Sequence, residues 1–166
     1  MCFVPNHVNY DGGSSSVPSG KTTSEIAADP VVAWSLLRDP DCWVHLMPGY
    51  VSHETEDSET YRFTIQRNLG ILTKSVIAEV RVIEEDEQQQ RAAFTMRGLN
   101  EAFEGRGEVR LEPHANGARL DITFSIRAQG SMAPMINPVL GQQIPKVMEA
   151  FAVRLANWTE KEIGGR

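Results

Sequence analysis

The stretch Ala102-Phe103-Glu104-Gly105-Arg106-Gly107-Glu108-Val109-Arg110-Leu111-Glu112 alternates without a break. Phe103, Gly105, Gly107, Val109 and Leu111 fall on one side, and Glu104, Arg106, Glu108, Arg110 and Glu112 on the other. Side chains along a strand point to opposite faces with a period of two, so the run predicts a strand with one oily face and one charged face. His114-Ala115-Asn116-Gly117 reads as a hairpin turn, with Asn-Gly supplying the left-handed positions that such turns demand. Leu120, Ile122, Phe124 and Ile126 then alternate with Arg119, Asp121, Thr123, Ser125 and Arg127. Together they predict an antiparallel sheet with a single buried face.

Working back from this hairpin, the middle of the chain repeats the pattern. Ala92, Phe94 and Met96 oppose Ala93, Thr95 and Arg97, and Val76, Ala78, Val80 and Val82 oppose Ile77, Glu79 and Arg81. Tyr61, Phe63 and Ile65 alternate with Arg62, Thr64 and Gln66, and Tyr50 to Thr55 forms a further strand. Leu69-Gly70-Ile71 interrupts the series, and Glu84 to Gln90 reads as a polar, solvated turn. Ahead of these lie two helix starts, Asp29-Pro30 and Asp39-Pro40. Aspartate accepts the first unpaired backbone N–H groups, and proline in the first turn loses no hydrogen bond. Pro48-Gly49 ends the second helix, and Thr22, Ser24 and Ile26 mark a first strand before both.

Beyond the hairpin the period changes from two to 3.6. Ile144, Val147, Met148, Phe151, Leu155 and Trp158 form one stripe, with Lys146, Glu149, Arg154 and Glu160 away from it. Pro138, Gly141 and Pro145 break the pattern, so the helix is expected from Pro145. Residues 1–19 have linker chemistry, including Gly12-Gly13-Ser14-Ser15-Ser16 and Pro18, and read as an arm. Residues 20–162 form the expected single domain, and 163–166 a tail.

Composition narrows the function classes. Hydrophobic residues make up 41% and charged residues 23%, as in an ordinary globular domain. A net charge of -6 argues against nucleic acid, which needs clustered Lys and Arg. No apolar run approaches the roughly 18 residues of a membrane span, and the N-terminus lacks signal-peptide features, so a cytoplasmic address is expected. Cys2 and Cys42 are too few for a disulfide framework and read as thiols. There is no paired-histidine metal spacing, CxxC, phosphate-binding glycine loop or nucleophile elbow. No metal or cofactor is expected.

The order strand, two short helices, six antiparallel strands, long helix resembles the helix-grip superfamily. Its members include the major birch-pollen allergen, START lipid-transfer domains and aromatic polyketide cyclases. Several stretches also resemble the G-type accessory protein of carbon monoxide dehydrogenase and its cyclase/lipid-transport relatives. They are Val32-Ala33-Trp34-Ser35-Leu36-Leu37-Arg38-Asp39-Pro40, Met47-Pro48-Gly49-Tyr50, Phe103-Glu104-Gly105-Arg106-Gly107, and Leu111-Glu112-Pro113 with Asn116-Gly117-Ala118-Arg119-Leu120. The likeness spans residues 20–162. Relative to that family the sequence adds residues 1–19 and lacks the long C-terminal tail that some accessory proteins of this type carry. The resemblance implies an α+β fold: a curved sheet of seven strands around a long C-terminal helix, with an interior that takes a hydrophobic ligand.

Candidate ligand contacts follow from strand and helix parity. Trp43, Tyr61, Phe63, Phe94, Met96, Phe103, Phe124, Met148 and Phe151 are expected to point inward, each more readily core than ligand wall when taken singly, the case for a ligand wall improving when they are taken together. Gly105 and Gly107 share that face; they mark either a bend or bulge, or room for a ligand above Phe103. Arg67 and Lys74 have inward parity at strand ends, where they either snorkel to solvent or form a cationic rim for a carboxylate or enolate. His45 and His53 flank Pro48-Gly49, as surface residues or as a proton-transfer pair. The first expectation is a carrier of a lipid-like, isoprenoid or polycyclic molecule. The alternatives are a polyketide cyclase or dehydratase, and an accessory module for a metalloenzyme or membrane partner, as the likeness to the carbon monoxide dehydrogenase protein implies.

Overall fold

Two Asp-Pro pairs start the two short helices. The Asp29 carboxylate accepts hydrogen bonds from the backbone N–H of Val31 (2.9 Å) and Val32 (3.2 Å), opening α1 over Pro30–Leu37. Asp39 accepts from Asp41 N–H at 3.1 Å and opens α2, Pro40–Trp43, which runs into a 3-10 turn over Val44–Leu46. The computed structural model describes residues 17–68, 71 and 73–165. The arm expected over residues 1–19 therefore lies mostly outside the described residues.

The strands are β1 (Ser19–Ile26), β2 (Tyr50–Thr55), β3 (Thr60–Asn68), β4 (Thr73–Asp86), β5 (Arg91–Gly98), β6 (Phe103–His114) and β7 (Gly117–Ala128). They form one sheet in the order β1-β7-β6-β5-β4-β3-β2, and every neighbouring pair is antiparallel. The long C-terminal helix, α3, spans Ala133–Gly164 and packs against β1 and β7. This is the helix-grip arrangement, with α1 and α2 between the first two strands.

Three local expectations are corrected. First, α3 begins at Ala133, a dozen residues before Pro145. Pro138, Gly141 and Pro145 are all exposed, so the carbonyls that the prolines leave without N–H partners lie on a wet face of the helix. Second, β4 runs on to Asp86, through a register shift between Val82 and Glu84 at the exposed Ile83. The acidic run is tied down by ion pairs: Arg38 at the end of α1 reaches Glu85 (3.3 Å) and Glu87 (3.0 Å). Third, in the β6–β7 turn the left-handed residue is Ala115 (φ 49°), and Gly117 already pairs with His114 in the ladder.

The core has two parts. One joins α1, β1, β6, β7 and the second half of α3 through Ile26, Trp34, Leu37, Leu111, Leu120, Met148 and Leu155. The other lies beneath the 3-10 turn: Val44, Tyr61, Phe63 and Val80. Every fully buried residue of α3 (Met148, Ala152, Leu155, Ala156 and Thr159) lies from Met148 onward. Glu160, expected to point away, accepts the Ala27 N–H at 2.7 Å and pins α3 to the end of β1.

Candidate functional site

The stretch of α3 over residues 133–147 includes no fully buried residue. Between it and the end of β3 lies a cavity of about 420 Å³, lined by Gly49, Gln66, Arg67, Asn68, Gln143, Lys146 and Val147. Gly49 shapes one wall. Its φ is +82°, and a Cβ there would sit 2.2 Å from the Gln66 carbonyl oxygen, so only glycine fits. The Gln66 N–H donates to the Gly49 carbonyl at 2.7 Å and holds that approach. Gln143 ties the opposite wall to β3: its side-chain N–H donates to the Asn68 carbonyl at 2.8 Å, which turns its Oε1 toward the Arg67 guanidinium at 3.5 Å.

Of the ligand contacts expected from sequence, Arg67 alone lines this cavity. Burial pulls its guanidinium below its ordinary range. Lys74 stands directly across from it in the ladder but is bound to Glu101 at 2.7 Å. The cations that line the cavity are Arg67 and Lys146, and Lys74 is not among the lining residues. Strand parity exposes Arg67; nothing local marks Gly49, Gln66, Asn68, Gln143, Lys146 or Val147 as site residues, because they meet only in three dimensions.

The expected aromatic wall divides in two. Tyr61, Phe63 and Met148 are buried in the core, Tyr61 and Phe63 as a stacked pair with centroids 6.4 Å apart. Burial, with the Asp39 and Asp41 carboxylates nearby, holds the Tyr61 phenol above its usual range. Trp43, Phe94, Met96, Phe103, Phe124 and Phe151 remain only half-buried. Trp43 donates its indole N–H to the Leu37 carbonyl (2.8 Å), and its ring lies 5.7 Å from Phe151. Phe94 and Phe124 stack at 6.1 Å beside Gly107, where a Cβ would lie 2.4 Å from the Phe94 ring. At Gly105 a Cβ would press on the Ser125 carbonyl at 2.8 Å, while the β5–β6 and β6–β7 registers run straight past both glycines. The glycines therefore admit close backbone and aromatic packing without a bulge. A second depression, about 600 Å³, lies over β1, β7, β6 and β5; it takes in Lys21, Arg106, Glu108 and Thr123 of the charged face together with Gly107 and Phe124, the latter one of the expected ligand contacts.

A family model described as polyketide cyclase / dehydrase and lipid transport matches residues 18–158. The chain belongs to this family. No curated protein matches it in sequence. A conserved protein from Geobacillus kaustophilus superposes with a TM-score of 0.72 at 18% identity, covering 86% of this chain and 95% of that one. The Zhui aromatase/cyclase from Streptomyces sp. R1128 gives 0.68 at 12% identity, over 87% and 94% of the two chains. A START superfamily protein from Mycobacterium smegmatis gives 0.63 at 15%, over 86% and 97%. At such identities the likeness establishes the shared fold alone.

Within this member of the cyclase and lipid-transport family, the two histidines separate. His45 is exposed, edge-on to Trp158 at 6.4 Å. His53 is half-buried on β2 and joins a chain of polar groups: its Nε2–H donates to Asp41 Oδ1 (3.0 Å), and the Tyr50 hydroxyl donates to its Nδ1 (2.7 Å). Thr55 Oγ1 also donates to Asp41 at 2.6 Å. This cluster clamps α2 to the edge strand and lies outside the residues lining the cavity. Among the described residues, no helix is long and apolar enough to cross a membrane.

Proposed function

We propose that this chain is a carrier that holds a small hydrophobic molecule, lipid-like, isoprenoid or polycyclic, between α3 and the apolar face of the sheet. The incomplete burial of Phe94, Met96, Phe124 and Phe151 carries the reading. A sealed core would bury such side chains completely, and each would gain roughly 1.5–3 kcal/mol from doing so. Left half-covered, Phe94, Met96 and Phe124 of the sheet and Phe151 of α3 are apolar surface that a ligand completes. The family's description, which names lipid transport beside cyclisation, supports the same reading.

The neutral fluorophore Nile red, titrated into the purified chain, tests it. Phe124→Ala and Phe151→Ala should each weaken binding about tenfold, which corresponds to about 1.4 kcal/mol. His53→Ala, which removes no wall, should leave affinity unchanged. Truncating a partly buried phenylalanine risks up to about 3–5 kcal/mol of stability, so each variant is first checked for folding by circular dichroism. If Nile red binds the folded phenylalanine variants as it binds the parent, the interior is not the binding site.

The Asp41–His53–Tyr50 chain favours a second reading, a cyclase or dehydratase, because a carboxylate that fixes the tautomer of an imidazole prepares it for proton transfer. In that case His53→Ala costs turnover of a polyketide-like substrate while Nile red affinity holds.

A further inference from the structure

Four arginines among the described residues are half-buried: Arg62, Arg67, Arg91 and Arg119. Three of them sit between two carboxylates each. Arg62 pairs with Glu54 and Glu56, Arg91 with Glu84 and Glu108, and Arg119 with Glu112 and Asp121. Among the described residues Arg67 has no carboxylate within ion-pair distance, and its side chain makes one hydrogen bond, the 3.5 Å contact to Gln143. Withdrawing a charge from water without a counter-ion is costly, and proteins otherwise avoid it. The cost is compounded here, because Arg67 faces Lys74 across the ladder and like charges directly opposite repel. Glu101, the acid that the β5–β6 turn provides, is spent on Lys74. Two cations and no carboxylate stand among the described residues that line the cavity.

We infer that the bound molecule is an apolar acid, and that its carboxylate is taken by Arg67 at the mouth of the cavity, with Lys146 beside it. This rests on the carrier reading and adds the ligand's chemical class. The planar guanidinium presents two parallel N–H donors to a carboxylate, a geometry that an ammonium does not offer. Gln143, held by Asn68, braces the guanidinium from the helix side and takes only one of its N–H donors. The neutral remainder of the molecule then runs toward Val147 and the half-buried Phe151 one turn further along α3.

The fluorescent polyene parinaric acid and its methyl ester form the test pair, since they differ only in the charge. The parent should prefer the acid by about tenfold or more. Arg67→Gln should erase that preference by weakening the acid and leaving the ester unchanged. Arg67→Lys should recover only part of it, and Lys146→Ala should reduce it less. Equal affinity of acid and ester for the parent, or equal weakening of both by Arg67→Gln, overturns the inference while the carrier reading stands. Loss of Nile red binding as well would sink both. Failure of acid and ester alike, with Nile red bound, also counts against the carboxylate. A second measurement needs no ligand. Because Arg67 lacks a counter-ion among the described residues, Arg67→Met should raise the melting temperature of the empty protein, whereas Arg91→Met and Arg119→Met should lower it. A drop at Arg67 matching theirs would make it a structural residue and end the proposal.

Discussion

At Gly117 a single hydrogen in place of a methyl group decides how the first strand meets the last hairpin. A Cβ at this position would stand 2.3 Å from the Ile26 carbonyl oxygen and 3.1 Å from the Ala28 nitrogen, both backbone atoms with little freedom to retreat. The left-handed backbone of the same turn falls two residues earlier on Ala115, where an L side chain costs about 1 kcal/mol. The two positions therefore respond in opposite senses. Gly117→Ala should destabilise the domain by about 1–3 kcal/mol, the range of an unrelieved overpacking. Ala115→Gly should leave stability unchanged or raise it by a few tenths, since the strain relieved is partly offset by the added freedom of the unfolded chain. Urea midpoints compare them directly. A harmless Gly117→Ala would mean that β1 can shift away from the hairpin. The Asn-Gly pair points to a turn at the right place for a different reason: the glycine is there for approach, and the left-handed angle belongs to Ala115.

Among the elements, α3 shows how far local pattern carries. Its second half announces itself, since Met148, Phe151, Leu155 and Trp158 repeat at helical spacing and pack the core. The first half contains Pro138, Gly141 and Pro145, which by propensity alone should end a helix. It persists because those residues face solvent and Asn137 is bonded to β7, its Oδ1 accepting the Ala128 N–H at 2.8 Å and its Nδ2–H reaching the Ala128 carbonyl at 3.2 Å. Such a tertiary bond is invisible in a local window. The strands are more legible, because period-two alternation survives every turn; only the bulge at Ile83 conceals the true end of β4. Since proline inside a helix costs about 3 kcal/mol relative to alanine, and Pro145 is exposed, Pro145→Ala should raise stability by about 1–3 kcal/mol and deepen the helical signal. Circular dichroism with urea denaturation measures both. A loss of stability would show that the proline sets the path of α3 past Gly20, whose absent Cβ would lie 3.3 Å from the Pro145 Cα.

Taken whole, the molecule is unevenly held. Eleven Arg or Lys pairs with carboxylates decorate the surface of the described residues, but such pairs are worth about 0–1 kcal/mol each and do not set the stability. Stability resides in the buried residues, most of which join α1, β1, β6, β7 and α3 from Met148 onward, with a second group (Val44, Tyr61, Phe63 and Val80) beneath the 3-10 turn. The cavity lies between the end of β3 and residues 133–147 of α3, which bury nothing completely. Sequence parity places Arg67 there but not its neighbours, because Gln66, Asn68 and Gln143 are ordinary polar residues until the fold brings positions 76 residues apart within hydrogen-bond range. The division predicts a gradient in local opening. Segments with few buried contacts open at free energies well below global unfolding, while packed ones exchange only with it. Backbone amides of residues 139–147 should therefore exchange hydrogen faster than those of residues 150–160 of the same helix, by about tenfold or more. A ligand at a hundred times its Kd stabilises the bound state by about 2.7 kcal/mol, so openings that release it are suppressed about a hundredfold. Parinaric acid should then slow exchange chiefly in residues 139–147 and in β3 near Arg67, with residues 150–160 changing less. Peptide-resolved hydrogen exchange with mass spectrometry distinguishes the outcomes. Uniform protection along α3, or ligand protection centred on the charged outer face near Arg106, would place the mobile and binding end of the molecule elsewhere.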